Sequence, residues 1–170
     1  MLFSIKAEAV ANHAVRRLME GKKVVIGLSS TMESFLDEFV TDDGEINCDF
    51  TSVLERALRS TLKYRTRDKE GGGASEFGYI DISDLSPEGQ DMYFTIQQKI
   101  KEGSSGISLS PIDLISQKIE AAGFKVSEVT GRKRKIIFSN EQGTKGTIVQ
   151  RKYVTRNVAF GEFQNNKSDV

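Results

Sequence analysis

The sequence predicts an α/β protein in which helices flank a mainly parallel sheet, with a mostly helical insertion and a β-hairpin added. Three observations predict it. Residues 5–20 read as a helix, residues 23–28 as a continuous apolar strand, and a second helix begins near residue 31. Residues 110–129 repeat the order of helix then strand. Residues 135–138 and 147–153 are two alternating runs around a loose polar tip, so 134–153 reads as a hairpin.

Each element carries a local signal. Ile5, Ala9, Val10, Ala14, Val15 and Leu18 recur at helical spacing, and Gly21 ends that helix with a left-handed cap. Ser30 or Thr31 caps the next helix, whose stripe is Met32, Phe35, Leu36 and Phe39. Residues 41–106 then interrupt the alternation as an insertion within one domain spanning 1–170. Asp49 is placed to cap a helix carrying Val53, Leu54, Ala57, Leu58 and Leu62, and residues 67–75 form a loop without an apolar anchor. Ser86-Pro87-Glu88 starts a helix that runs to about Lys101, with Tyr93, Phe94, Ile96 and Ile100 inward. Tyr79, Tyr93 and Phe94 read as core in preference to a base-stacking platform. Ser110-Pro111 repeats the helix start, with Ile112, Ile115, Ile119 and Ala122 as the buried face and Gly123 as the cap. Thr155 caps a last helix bearing Val158, Ala159 and Phe163.

Composition narrows the function classes. A single cysteine, Cys48, excludes an internal disulfide, and a single histidine, His13, disfavours zinc and Cys–His chemistry. The apolar runs are too short to cross a bilayer, and the expected location is the cytoplasm. Net charge is zero, yet its distribution is uneven. Residues 24–50 carry seven acids and no lysine or arginine, whereas residues 124–156 carry nine cations against Glu128 and Glu141. Such a basic segment suits either a polyanion contact or a solvated hairpin.

Two turns are candidate phosphate contacts. Ser29-Ser30-Thr31 follows an apolar strand and opens a helix, but it lacks the glycines and lysine of a triphosphate cradle. Free N–H groups and hydroxyls there suit a single backbone phosphate, or only a helix cap. Thr130-Gly131-Arg132-Lys133 follows the strand at 124–129, at the end where α/β folds place ligands. No carboxylate pair reads as a general acid and base.

In order, the segments VVIGLSSTMESFLDEF, DFTSVLERAL, SPIDLISQKIEAAGFKVSEVTGRK and RNVAFGEFQNNKSDV resemble the C-terminal helicase domain of the Strawberry notch family, superfamily-two helicase-like proteins. The resemblance covers nearly the whole chain, and SPIDLISQKIEAAGFKVSEVTGRK is its most specific part. It implies a partial RecA-like sheet of the P-loop NTPase type, forming the second helicase lobe. The turn within residues 24–39 would be motif IV and the turn at 129–132 motif IVa, both touching the sugar-phosphate backbone. Phe160, Phe163, Asn165 and Asp169-Val170 resemble the approach to motif V. Asn166 stands where the family often has glycine, a mild departure because asparagine tolerates a left-handed turn.

The Walker A and B motifs and motifs V and VI do not occur in the sequence. The resemblance therefore assigns no catalytic residue and implies a lobe truncated before motif V, without ATPase activity alone. The chain itself is expected to hold no cofactor, ATP and Mg²⁺ belonging to the intact family enzyme. Expected partners are nucleic acid, bound through its backbone irrespective of sequence, and a first helicase lobe in cis or trans; no membrane contact is expected. The setting implied is a phage or its bacterial host. The alternative is a protein-interaction module that keeps the lobe fold without binding nucleic acid.

Overall fold

A computed structural model describes residues 2–29, 31, 46–66, 77–104 and 106–170. Among these residues the fold is mixed α/β, with five helices, a three-stranded antiparallel sheet and a two-stranded antiparallel sheet. In chain order the elements are α1 (Leu2–Met19), β1 (Ile46–Asn47), α2 (Thr51–Ser60), β2 (Lys63–Arg65), β3 (Phe77–Tyr79), a 3₁₀ turn (Ile82–Asp84), α3 (Pro87–Ser104), α4 (Pro111–Ala121), β4 (Arg134–Phe138), β5 (Lys145–Gln150) and α5 (Arg156–Gln164). The chain divides into two compact units: Met1–Asp49 with Gly106–Val170, and Phe50–Ser105. The predicted helix beyond residue 31, Ser30 itself and the loop 67–75 lie outside the described residues.

In the first unit α1 packs on α4. The buried face of α1 is Ser4, Ala7, Ala11, Ala14 and Leu18; it shares Ala14 and Leu18 with the predicted stripe but leaves out Ile5, Ala9, Val10 and Val15. Ile5 is 55% exposed. The rotation has a steric reason: a row of alanines lets the two backbones approach, whereas larger residues on the same face would hold them apart. α4 starts at Ser110-Pro111, as predicted, and buries Ile112, Leu114, Ile115 and Ile119. Gly21 and Gly123 end α1 and α4 at φ 75° and 89°, conformations in which a Cβ is strained.

The hairpin forms as the alternation predicts. β4 pairs with β5 from Arg134↔Gln150 to Phe138↔Gly146, and β1 adds to the other edge of β5. Ile136 and Phe138 face the core, and Lys135 and Ile137 face outward.

The paired strands are all antiparallel, which differs from the parallel sheet expected of residues 23–28 and 124–129. Both segments lie beside residues 168–170 but form no regular ladder. Val24 N–H donates to Asp169 O at 3.4 Å. Val170 N–H donates to Lys125 O at 3.1 Å, and Ser127 N–H donates to Val170 O at 2.7 Å. Residues 125 and 127 thus bracket residue 170, the bonding pattern of neighbours running in the same direction. Val25 is 83% exposed, so residues 23–28 are not covered on both faces. Hairpin strands find partners across a short turn, whereas parallel neighbours depend on remote segments.

In the second unit α2 packs on α3, and β2 pairs with β3. Ser86 Oγ accepts from Gly89 N–H at 3.2 Å, which sets the predicted start of α3. The predicted cap at Asp49 does not form. Phe50 takes the N-cap position of α2 without a side-chain cap bond, while Asp49 pairs with Ser108 as an antiparallel bridge. The aromatic residues read as core are more open than expected. Phe94 is 53% exposed, and Tyr93 is half-buried, edge-on to Phe94. Two stacked helices and a ribbon supply too little cover to bury them.

Substituting Ala11→Leu should destabilise the chain by about 1–3 kcal/mol, because it forces α1 away from α4. Ile5→Ser should change stability by no more than about 0.5 kcal/mol, as for other surface sites. Urea unfolding of both variants checks the orientation of α1; a larger loss for Ile5→Ser would contradict it.

Candidate nucleic-acid interface

The second predicted turn is built around buried charge. Asp113 sits in the first turn of α4 and is 5% exposed. Its Oδ2 accepts from Ser110 Oγ at 2.7 Å, Arg132 Nη1 at 2.9 Å and the Ile136 backbone N–H at 2.8 Å. Its Oδ1 accepts from Arg132 Nη2 at 2.5 Å. Glu128 takes Arg132 from the other side, through Nε at 2.6 Å and Nη2 at 2.7 Å. Thr130 Oγ1 also donates to Glu128. Arg151 completes the cluster: its Nη2 donates to Glu128 O at 2.6 Å and its Nη1 to Arg132 O at 3.2 Å.

Arg132 is therefore 3% exposed and directs four of its five N–H groups at carboxylates. That use of the guanidinium leaves it turned inward, away from any phosphate in solvent. Burial works against the Arg132 charge, but Glu128 and Asp113 outweigh it and raise its pKa. Burial likewise opposes the Glu128 charge, and Arg132, Thr130 and Arg151 overcome it to hold that carboxyl below 4.5.

The remaining predicted residues are placed as follows. Ser29, Gly131 and Lys133 are exposed, Thr31 and Thr130 are half-buried, and Ser30 lies outside the described residues. The structure brings the two predicted turns together. Thr31 and Thr130 line one cavity of about 660 Å³. Its walls are mainly apolar, from Ile26, Ile115, Ile119, Phe160 and Phe163, and Arg156 contributes a cation. Lys23 is otherwise engaged: its Nζ lies 4.8 Å from the Phe163 ring centroid and donates to the Phe163 carbonyl.

Sequence reasoning missed Asp113, Glu128 and Arg151 as organisers of the turn. Asp113 carried a signal, an acid inside a Ser-Pro helix start, but that acid reads as a dipole partner. The separation of 19 positions from Arg132 hides the ion pair.

Gly27, the described glycine before the first turn, does not suit a triphosphate cradle. A triphosphate cradle needs a nest of backbone N–H groups, usually through left-handed glycine. Gly27 has no positive φ and lines the apolar cavity instead. The three-glycine run 71–73 lies outside the described residues. Among the described residues no cluster of His, Cys, Asp or Glu is arranged to hold a metal ion, and no helix is long and apolar enough to cross a membrane.

The chain matches no family model, no curated protein and no solved structure.

Removing one partner from the buried cluster should cost far more than a surface ion pair. Asp113→Ala is expected to destabilise by about 3–5 kcal/mol in chemical unfolding; a loss below about 1 kcal/mol would mean the pair is dispensable.

Glu128 gives a separate pH signature. Because its folded pKa is lowered from 4.5, its stabilisation is complete above that value and is lost as pH falls through the folded pKa. The stability gap between the native chain and Glu128→Gln should therefore narrow from pH 7 to about pH 3. Paired thermal melts at the two pH values measure it.

Proposed function

We propose that this chain contributes sequence-independent contacts to nucleic-acid phosphates, as part of the second RecA-like lobe of a Strawberry notch-like helicase. The observation that carries the proposal is the convergence of the two turns that the resemblance makes backbone-binding, Thr31 and Thr130 lining one cavity. The same-direction bonding of residues 125 and 127 around residue 170 favours a parallel arrangement of those segments.

The contacts fall to groups that the buried cluster leaves outside. Ser29 and Gly131 are exposed, and Thr31 and Thr130 line the cavity. Lys133 follows Arg132 outward, and Lys135, Lys145 and Lys152 are exposed along the hairpin. Arg132 acts as a positioning residue: held between Asp113 and Glu128, it keeps the turn rigid, so Lys133 is presented without further ordering. No residue of this chain is assigned a role in ATP hydrolysis. Its partners would be a nucleic-acid strand and a first helicase lobe.

Binding to single-stranded and duplex oligonucleotides, measured by fluorescence anisotropy across a salt series, tests the proposal. Affinity should fall linearly with salt on logarithmic axes. The double variant Lys133→Glu/Lys135→Glu should weaken binding and flatten the single-strand slope by about 1.4, as expected for two lost phosphate contacts. Affinity indifferent to salt and to both reversals would overturn it. Charge reversal at Arg132 is unsuitable, because it would destroy the buried cluster.

One observation favours a second reading, a protein-interaction module. Val25 is 83% exposed beside a largely apolar cavity, and an exposed apolar edge suits a protein partner. Under that reading Val25→Lys abolishes partner capture while oligonucleotides do not bind at all.

A further inference from the structure

We propose that the β2–β3 ribbon is a platform on which the bases of a single-stranded nucleic acid stack. It involves none of the phosphate-contacting residues named above, and it does not depend on that reading. The register pairs Lys63 with Tyr79, Tyr64 with Gly78 and Arg65 with Phe77. Alternation along each strand therefore sets Lys63, Arg65, Phe77 and Tyr79 on one face. Tyr64 takes the other face, where it covers Gly78: a Cβ there would lie 2.6 Å from Tyr64 Cζ.

On the first face both rings stand open, Phe77 59% and Tyr79 49% exposed. Two neighbouring aromatic rings half in water are unfavourable for an isolated ribbon, which gains stability by burying an apolar face. Each ring is attended by a cation. Lys63 Nζ lies 4.2 Å from the Phe77 centroid, and Arg59 Cζ lies 5.3 Å from the Tyr79 centroid. The described carboxylate nearest in sequence, Asp81, is engaged with Ser83 N at 2.9 Å and Ser83 Oγ at 2.6 Å, capping the 3₁₀ turn.

Open rings interleaved with long cations match one kind of partner better than others. A protein surface seated here would have to strip water from Lys63 and Arg59 and then pair them. A single strand offers a π-face to each ring and a phosphate to each cation. Phe77 and Tyr79, two residues apart on one strand, stand about 7 Å apart, which leaves room for one base on each ring. Duplex bases are already stacked on each other, so the platform selects single strands.

The test compares oligothymidylate with an abasic oligonucleotide of equal length, using the full chain. Oligothymidylate should bind at least about fivefold more tightly, since the abasic strand keeps the phosphates and lacks the stacking. Phe77→Ala and Tyr79→Ala should each reduce that preference and leave abasic affinity unchanged, whereas Tyr79→Phe should keep it. Tyrosine fluorescence should be quenched by oligothymidylate in the native chain and less so in Tyr79→Phe. Equal affinity for the two strands, or an unchanged preference in both alanine variants, overturns the proposal; so does an effect of those variants on self-association alone. Failure of the phosphate-contact proposal is read separately, from the salt slope of Lys133→Glu/Lys135→Glu on the abasic strand.

Discussion

Arg132, held between Asp113 and Glu128, is the contact on which the order of the larger unit depends. Through it the first turn of α4, the turn at 128–133, the start of β4 and the residue after β5 become one object. Burying these charges is costly, and the arrangement stands only because nearly every lone pair and N–H is answered. Asp113 alone accepts four hydrogen bonds, one of them from the backbone of Ile136. Ile112, its chain neighbour, and Ile136, whose N–H it accepts, are both buried. Low dielectric strengthens the pairs and would punish any missing partner.

That cluster changes the meaning of the basic segment. The nine cations between residues 124 and 156 suggest a broad positive surface when read from the sequence. Arg132 is sealed inside, and Arg151 is turned toward Glu128, its Nε lying 3.4 Å from a Glu128 oxygen. The exposed cations of the segment are mainly lysines: Lys125, Lys133, Lys135, Lys145 and Lys152. Arginine suits the inner role, because its planar fork meets two carboxylates at once; lysine suits the outer one, as a hydrated point charge.

A second theme is incomplete cover. Residues 23–28 make a single backbone bond to residues 168–170 and leave Val25 in solvent, next to an apolar cavity. In the other unit, the β2–β3 ribbon keeps its aromatic rings outward with cations over them. Both features place apolar surface where water is an unfavourable neighbour.

Much of the local architecture was legible in the sequence. The starts of α3, α4 and α5 at Ser86-Pro87, Ser110-Pro111 and Thr155, and the ends of α1 and α4 at Gly21 and Gly123, follow from groups within one helical turn. The β4–β5 hairpin follows from two alternating runs and a short turn. Such features are satisfied by near neighbours, so residue type and spacing suffice. What the tertiary structure decided is which side each element shows to the others. Alanine spacing was not enough to announce that α1 would turn Ile5 outward. Nor could it be read locally that Asp113 would take Arg132 from 19 residues away, or that Tyr79 would stand open. Burial and ion pairing belong to pairs of elements, and a linear sequence does not carry the distance between them.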